Sequence, residues 1–319
     1  MKKLLMGAAA GVAALSASTA IAEDVNVAFF LEWATPNQIA KVEKAYDDAM
    51  GVDVNWTDFA TGVGMSEAML AGDIDISYSQ GLAPFVTAIQ QGAPLKMVSI
   101  AVAYPPNKCF VADSLGISSD NASELEGTTV AVPLNTMADY SFRKQMAHLG
   151  VDIDAMTIVD QAPADGAVSL ADGSVSMACI FGGASAAAAG EVGTPIMNNA
   201  DLAAAGISSF DVVSVTESFA TEHPELVSAF LEVTAEANAA WAANPGEGIE
   251  IIAADAGMDV DKTTSQMSEF VFPTVEEQLA SYFNEGGIAT QAAASLGLVF
   301  SSESDAAKLA ATIDGSFLQ

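Results

Sequence analysis

Apolar residues along the chain fall into short runs divided by turn residues. The runs switch between a period of two and a period near 3.6. Asp24–Leu31 alternates and then turns fully apolar, the pattern of a strand that ends buried. Val52–Phe59 alternates again, and Asp73–Tyr78, Leu95–Ala103, Thr129–Pro133, Ser174–Phe181 and Ile207–Val215 read as further strands, with Lys108–Ala112 opening a second set of elements. Helical spacing fills the gaps. Thr35-Pro36-x-Gln38 carries a capping signature, so one helix is expected with Ile39, Val42, Tyr46 and Met50 on its buried stripe and Gly51 as its stop. Gly62–Leu70, a segment from Pro84 through Ile89, and Gly166–Leu170 are also helical. Thr136 serves as N-cap with Asp139 at N3, and Phe142, Met146 and Leu149 follow before Gly150 ends the helix. From Pro224, Leu226, Phe230, Val233, Ala237 and Trp241 share one face of a long helix, and the remainder is mainly helical.

Strands alternating with helices predict an α/β protein. One internal echo refines this. Ala68–Tyr78 and Val168–Met177 follow the same plan of helix, tight glycine turn and strand. Each strand then ends in a glycine-bearing turn, Gly81 in one and Gly182-Gly183 in the other. Two similarly built lobes are expected, with Tyr104–Asn107 as one crossing and Ile207–Val215 as the return. Ligands of open α/β sheets bind at the carboxyl ends of strands, so a cleft between the lobes would be lined by those turns.

Lys2 and Lys3, the short apolar stretch Leu4–Leu15 and Ala20-Ile21-Ala22 read as an export signal cleaved after Ala22, giving a periplasmic protein. No Cys sits there to take a lipid, and no stretch of about 18 apolar residues is available for a membrane span. The whole chain carries a formal charge of −31, and loss of the two leader lysines leaves eight basic residues against 41 acidic ones, about −33. Nucleic acid and anionic membranes are poor partners for such a chain, and the acidity is a solubility device. A monomer is expected. Cys109 and Cys179 suit either a single bridge across about 70 residues or two buried thiols.

Catalytic chemistry is sparse. The histidines are His148 and His223, each with a structural reading at a helix end, and no HExxH, CxxC, GxSxG or GxxxxGK[ST] pattern is present. No enzyme, cofactor or metal site is therefore expected. Binding chemistry is richer. Trp33, Tyr78, Tyr140, Phe181 and Phe210 offer aromatic faces at strand ends, helix starts follow Thr35, Gly81 and Thr136, and Asp211 offers a carboxylate. Together they suit a small ligand with an anionic head on helix-start amides and a cationic tail on a carboxylate and aromatic rings. Arg143, the single arginine, lies inside its helix, which argues against an arginine-clamped phosphate.

The order Val27-Ala-Phe-Phe30, Ala71-Gly-Asp-Ile-Asp-Ile76, Gly81-Leu-Ala-Pro84, Ala131-Val-Pro-x-x-Thr136-x-x-x-Tyr140 and Phe219-Ala-Thr-Glu-His-Pro-Glu225 resembles the periplasmic taurine-binding proteins of ABC transporters, with sulfonate- and thiamine-precursor-binding relatives. The resemblance implies a type II periplasmic-binding-protein fold, two α/β lobes joined by two hinge crossings with the ligand cleft between them. Residues 23–103 and 213–319 would form lobe 1, and 104–212 lobe 2. It implies capture of taurine, and delivery to permease subunits. By the same resemblance Thr136, Met137 and Ala138, with Gly81 and Leu82, would hold the sulfonate, Asp211 the ammonium, and Phe181 would stand where relatives often carry Trp. Gln80, Tyr140 and Gly182 flank these positions and complete the candidate set. Glu32-Trp33-x-x-Pro-Asn resembles the pyrimidine-precursor branch and adds Glu32 and Trp33. Alternatives are another small sulfonate, a betaine-like zwitterion, a thiamine pyrimidine precursor, or a precursor-synthase-like enzyme on the same fold.

Overall fold

A computed structural model describes residues 24–205, 207, 209–301 and 303–319, so the expected export signal lies outside the described residues. Among the described residues, ten strands form two five-stranded mixed sheets. The strands are β1 (Val25–Phe30), β2 (Val54–Phe59), β3 (Ile76–Gly81), β4 (Leu95–Tyr104), β5 (Lys108–Ala112), β6 (Thr129–Val132), β7 (Thr157–Asp160), β8 (Met177–Ile180), β9 (Gly193–Pro195) and β10 (Ser209–Thr216). The first sheet runs β2-β1-β3-β10-β4 and the second β7-β6-β8-β5-β9. In each, three neighbouring strands are parallel and the fourth, β10 or β5, runs antiparallel to its neighbours on both sides. The internal echo maps onto equivalent places, since β3 and β8 are each the third strand of their sheet. The turns before them are made by Gly72 and Gly173, both left-handed with φ of 83° and 79°, a conformation glycine adopts at no steric cost.

Burial follows the apolar runs. All eight residues of β10 are buried, as befits a strand flanked by neighbours and covered on both faces. The long helix Pro224–Ala243 buries Leu226, Phe230 and Val233 against Tyr46 and the first sheet, with the Tyr46 and Phe230 rings stacked 4.7 Å apart. β7 and β9 carry no clear sequence pattern: one is half-buried, the other three residues long, and both are sheet edges.

Two expectations need correction. The single helix expected over 35–50 is two short helices, Asn37–Val42 and Ala45–Met50, broken at Lys44, which is left-handed (φ 61°). Val42 is consequently half exposed rather than part of the stripe, and Lys41 turns to Asp255 at 2.8 Å. The return to the first sheet also comes earlier than 212/213, because β10 already pairs with β4 from Ser209 onward.

Cys109 and Cys179 are registered partners on antiparallel β5 and β8 and are joined by a disulfide. Among the described residues no helix is long and apolar enough to cross a membrane.

Candidate functional site

The carboxyl ends of β1, β3, β4, β6 and β8 converge with the amino ends of β10 and β5, and the central cavity lies there. It is lined by Phe30, Trp33, Gly62, Gly81, Pro84, Tyr104, Asn107, Thr136, Met137, Phe181 and Asp211. The lining residues up to Tyr104, and Asp211, come from the first sheet and the turns and helices that follow its strands, and Asn107 to Phe181 come from the second sheet and its own connections.

Asp211 is the only ionisable carboxyl in this lining. It sits third in β10, opposite Gly81 of β3 and Val102 of β4, and is 2% exposed. Tyr104 Oη donates to its Oδ1 at 2.6 Å and Ser79 Oγ to its Oδ2 at 3.1 Å. Burial pushes the Asp211 carboxyl up to about 7, against the downward pull of those two hydrogen bonds. Burial and the neighbouring Asp211 likewise raise the Tyr104 hydroxyl well above its ordinary value, which keeps it a donor.

A backbone irregularity places Ser79. β3 and β10 pair Gln80 with Val212 but Ser77 with Ser214, so two residues of β3 stand against one of β10. Within this bulge Ser79 is left-handed (φ 65°), and its hydroxyl reaches both Asp211 and the indole of Trp33, whose Nε1 donates to it at 2.9 Å. Two other non-glycine residues at the cleft are left-handed, Glu32 (φ 58°) after β1 and Asn135 (φ 59°) after β6. Each costs about 1 kcal/mol, and such conformations persist where surrounding contacts hold them.

Aromatic rings form the wall beside Asp211. Trp33 meets Tyr104 edge-on at 5.0 Å and Phe270 at 4.7 Å, and Phe30 meets Phe181 at 6.0 Å from one sheet to the other. Such pairs contribute about 0.5–1.5 kcal/mol each beyond area burial.

Opposite lies the start of helix Met137–Leu149. Thr136 caps it as expected, but the capping uses the group fully: Oγ1 accepts from the amides of Ala138 (3.2 Å) and Asp139 (3.4 Å) and donates to Pro133 O at 2.6 Å. Asp139 accepts from the Asn135 amide and from Arg143 Nε, not from the N-cap amide. Across the gap, helix Leu82–Gln90 begins directly after Gly81 without a side-chain cap, and the amide of Ala83 is met by Met137 Sδ at 3.3 Å. At this approach an added Cβ on Gly81 would lie 3.1 Å from Met137 Cγ, so the Met137 side chain would have to give by a few tenths of an ångström.

Of the residues singled out from sequence, Trp33, Gly81, Thr136, Met137, Phe181 and Asp211 line the cavity. Leu82 and Ala138 are core residues beside it, and Gly182 lines the two neighbouring hollows with Phe181. Three are engaged elsewhere. Gln80 donates to Gly62 O and Ser66 Oγ and accepts from Ser214 Oγ, a buried knot. Tyr140 is turned toward Ser295, and the Glu32 carboxylate is held by Ser185. Phe30, Gly62, Pro84, Tyr104 and Asn107 are added by the structure. Tyr104 and Asn107 were legible only as a crossing; that they face the cleft depends on where the two sheets meet.

The NMT1/THI5-like family model matches residues 37–248, about two thirds of the chain. The chain belongs to the NMT1/THI5-like family. The chain is similar to the taurine-binding periplasmic protein of Escherichia coli (strain K12), 25% identical over 232 residues, which are 73% of this chain and 71% of the relative. Its fold is similar to that of the alkanesulfonate-binding protein SsuA from Xanthomonas axonopodis pv. citri bound to MOPS, with a TM-score of 0.72 at 16% identity over 91% of this chain and 98% of the other. The periplasmic aliphatic sulphonate binding protein SsuA from Escherichia coli matches with a TM-score of 0.63 at 19% identity over 85% and 90%. The two mixed sheets of this family member are therefore the two-lobed α/β fold of periplasmic binding proteins.

Proposed function

We propose that this protein is an exported solute-binding protein that captures taurine or a close small zwitterion between two lobes, one built on the sheet β2-β1-β3-β10-β4 and the other on β7-β6-β8-β5-β9, and delivers it to ABC permease subunits. The observation that carries this reading is the lone carboxyl of Asp211, buried and hydrogen-bonded, in a largely aromatic and apolar cavity. A buried unpaired carboxylate is costly, and a ligand cation would relieve that cost. Trp33 and Tyr104 rings beside it suit an ammonium group. At the other wall the Ala83 amide, at a helix start, is met by a thioether, a weak acceptor on a flexible side chain. A sulfonate oxygen is a better partner for that amide, and the helix dipole favours its charge. Met137 would move aside for it, and the free Met137 end of the facing helix would close behind. The taurine-binding relative supports the same ligand class.

A binding role also fits the lining chemistry. The lining is largely aromatic and apolar around the Asp211 carboxyl, a surface suited to holding a small ligand. The test is a thermal-shift panel of taurine, hypotaurine, other sulfonates and betaines on the purified protein. Taurine should raise Tm most; a panel without any shift defeats the ligand assignment.

A further inference from the structure

Glu32 stands just outside the cavity, and its contacts have a different logic. Its Oε2 accepts from Ser185 Oγ at 2.8 Å and from the Ser185 amide at 3.0 Å, while its carbonyl accepts from the Gly183 amide at 3.2 Å. Glu32 follows β1 of the first sheet; Gly183 and Ser185 open the helix Gly183–Gly190 that follows β8 of the second. That helix has no side-chain cap of its own, because its N-cap residue is Gly182. Its Gly183 amide is thus satisfied by the Glu32 carbonyl and its Ser185 amide by the Glu32 carboxylate, both from the first lobe, and the carboxylate's negative charge also complements the helix dipole.

The neighbourhood is shaped for this approach. Gly182 is left-handed (φ 86°), and a Cβ there would lie 3.0 Å from Glu32 Oε2. A Cβ on Gly183 would fall 2.3 Å from Met258 Cε, so the Gly-Gly pair lets the second sheet's helix reach the first lobe at two points. Glu32 itself is braced in its left-handed conformation. Its amide donates to Ala256 O at 2.7 Å, and Gln266 Nε2 donates to its carbonyl at 3.0 Å while Gln266 Oε1 accepts from the Ala34 amide at 2.7 Å. The cost of a strained, pre-set glutamate is understandable if its carboxylate has a fixed target.

We infer that Glu32 is a closure latch, a positioning residue that holds the two lobes together over the ligand by capping helix Gly183–Gly190 from the opposite lobe. The inference rests on the reading of the protein as a closing two-lobed binder. Separation of the lobes would leave the Gly183 and Ser185 amides to water, and closure would restore their partners, so the latch adds to ligand retention without touching the ligand.

Two readouts test it on the purified protein. Amide hydrogen exchange without ligand should speed up at least tenfold at Gly183 and Ser185 in Glu32→Ala, while amides of β6 keep their parent rates. Glu32→Gln, which keeps one acceptor but no charge, should fall between, and Ser185→Ala gives a milder version that leaves β1 untouched. With taurine as probe, Glu32→Ala should bind about tenfold more weakly, mainly through faster dissociation. Parent-like exchange in Glu32→Ala and Ser185→Ala overturns the latch, as does faster exchange with unchanged taurine dissociation. Faster local exchange in a protein whose parent does not bind taurine leaves the latch standing and removes the ligand assignment instead.

Discussion

The hydroxyl of Tyr104 donates to Asp211 Oδ1 at 2.6 Å, joining the end of β4 to the start of β10 at the floor of the cleft. The pair sits where the first sheet ends and the crossing to the second begins. It therefore couples the charge of the site to the geometry of the crossing.

Taurine affinity should depend on pH in a definite sense. A carboxyl raised to about 7 is largely protonated at pH 5.5, whereas an ammonium needs it ionised. Affinity should thus rise with pH through about 7 and level off by about 8.5, falling roughly tenfold per unit below 7. Calorimetric titration in buffers of different ionisation enthalpy should also show proton release on binding near pH 6.5. A flat profile across this range contradicts the ammonium role.

Asp211→Asn separates function from stability. The native state holds the Asp211 proton more tightly than the unfolded chain, whose value is 3.8, so Asp211 lowers stability as pH rises from about 4 to about 7. Replacing it should stabilise the ligand-free protein at pH 8 by on the order of 2–4 kcal/mol, and by little at pH 4. Taurine binding should drop at least a hundredfold, far more than binding of a sulfonate lacking an amine. Urea denaturation at the two pH values and titration with both ligands measure this.

Tyr104→Phe removes a short hydrogen bond to a charged acceptor, worth about 1.5–3 kcal/mol. Asp211 should then ionise at higher pH, moving the midpoint of the taurine affinity profile upward by about one unit or more. The aromatic packing on Trp33 stays, so the fall in Tm should be limited to a few degrees, what this one hydrogen bond contributes.

Met137→Ala should free the Ala83 amide and open the gap between the two helix starts. A cost of about 2–4 kcal/mol to stability follows from removing a buried side chain. The same change should weaken taurine by less than Asp211→Asn does, because the thioether is displaced by the ligand rather than bound to it. A larger loss than Asp211→Asn would place the anion elsewhere.

Reduction of the Cys109–Cys179 bridge should destabilise the second lobe. The bridge closes a sequence separation of 70 residues, for which chain entropy gives about 4 kcal/mol. Denaturation of the Cys109→Ala/Cys179→Ala protein against the parent checks this, with taurine affinity expected to fall less than stability.

Much of this architecture was legible in local patterns. Alternating and fully apolar runs place β1, β2, β3, β4, β6, β8 and β10, because a strand's burial is written in its period. Glycine turns and caps such as Thr136 and Gly150 are equally local, since they answer to backbone groups a few residues away. The echo between 68–78 and 168–177 foretold two sheets of one plan, and Asp211 stood out as a carboxylate beginning an apolar strand.

Tertiary structure alone decided which of these groups meet. Glu32 and Gln80 sit at strand ends like true cleft residues, yet one reaches across to Ser185 and the other is consumed by Ser66 and Ser214. Ser79 reaches Asp211 only through a bulge against β10, a strand more than 120 residues away. Tyr104 and Asn107 join the cavity only once the strand ends of the two sheets face each other. Thr136 and Met137 stand in the wall, but the Thr136 hydroxyl is spent on its own helix start. Local sequence encodes hydrogen bonds that a segment makes with itself; those made across 50 to 230 residues are set by how the sheets pack, and in this protein they are what aims Asp211 and Glu32.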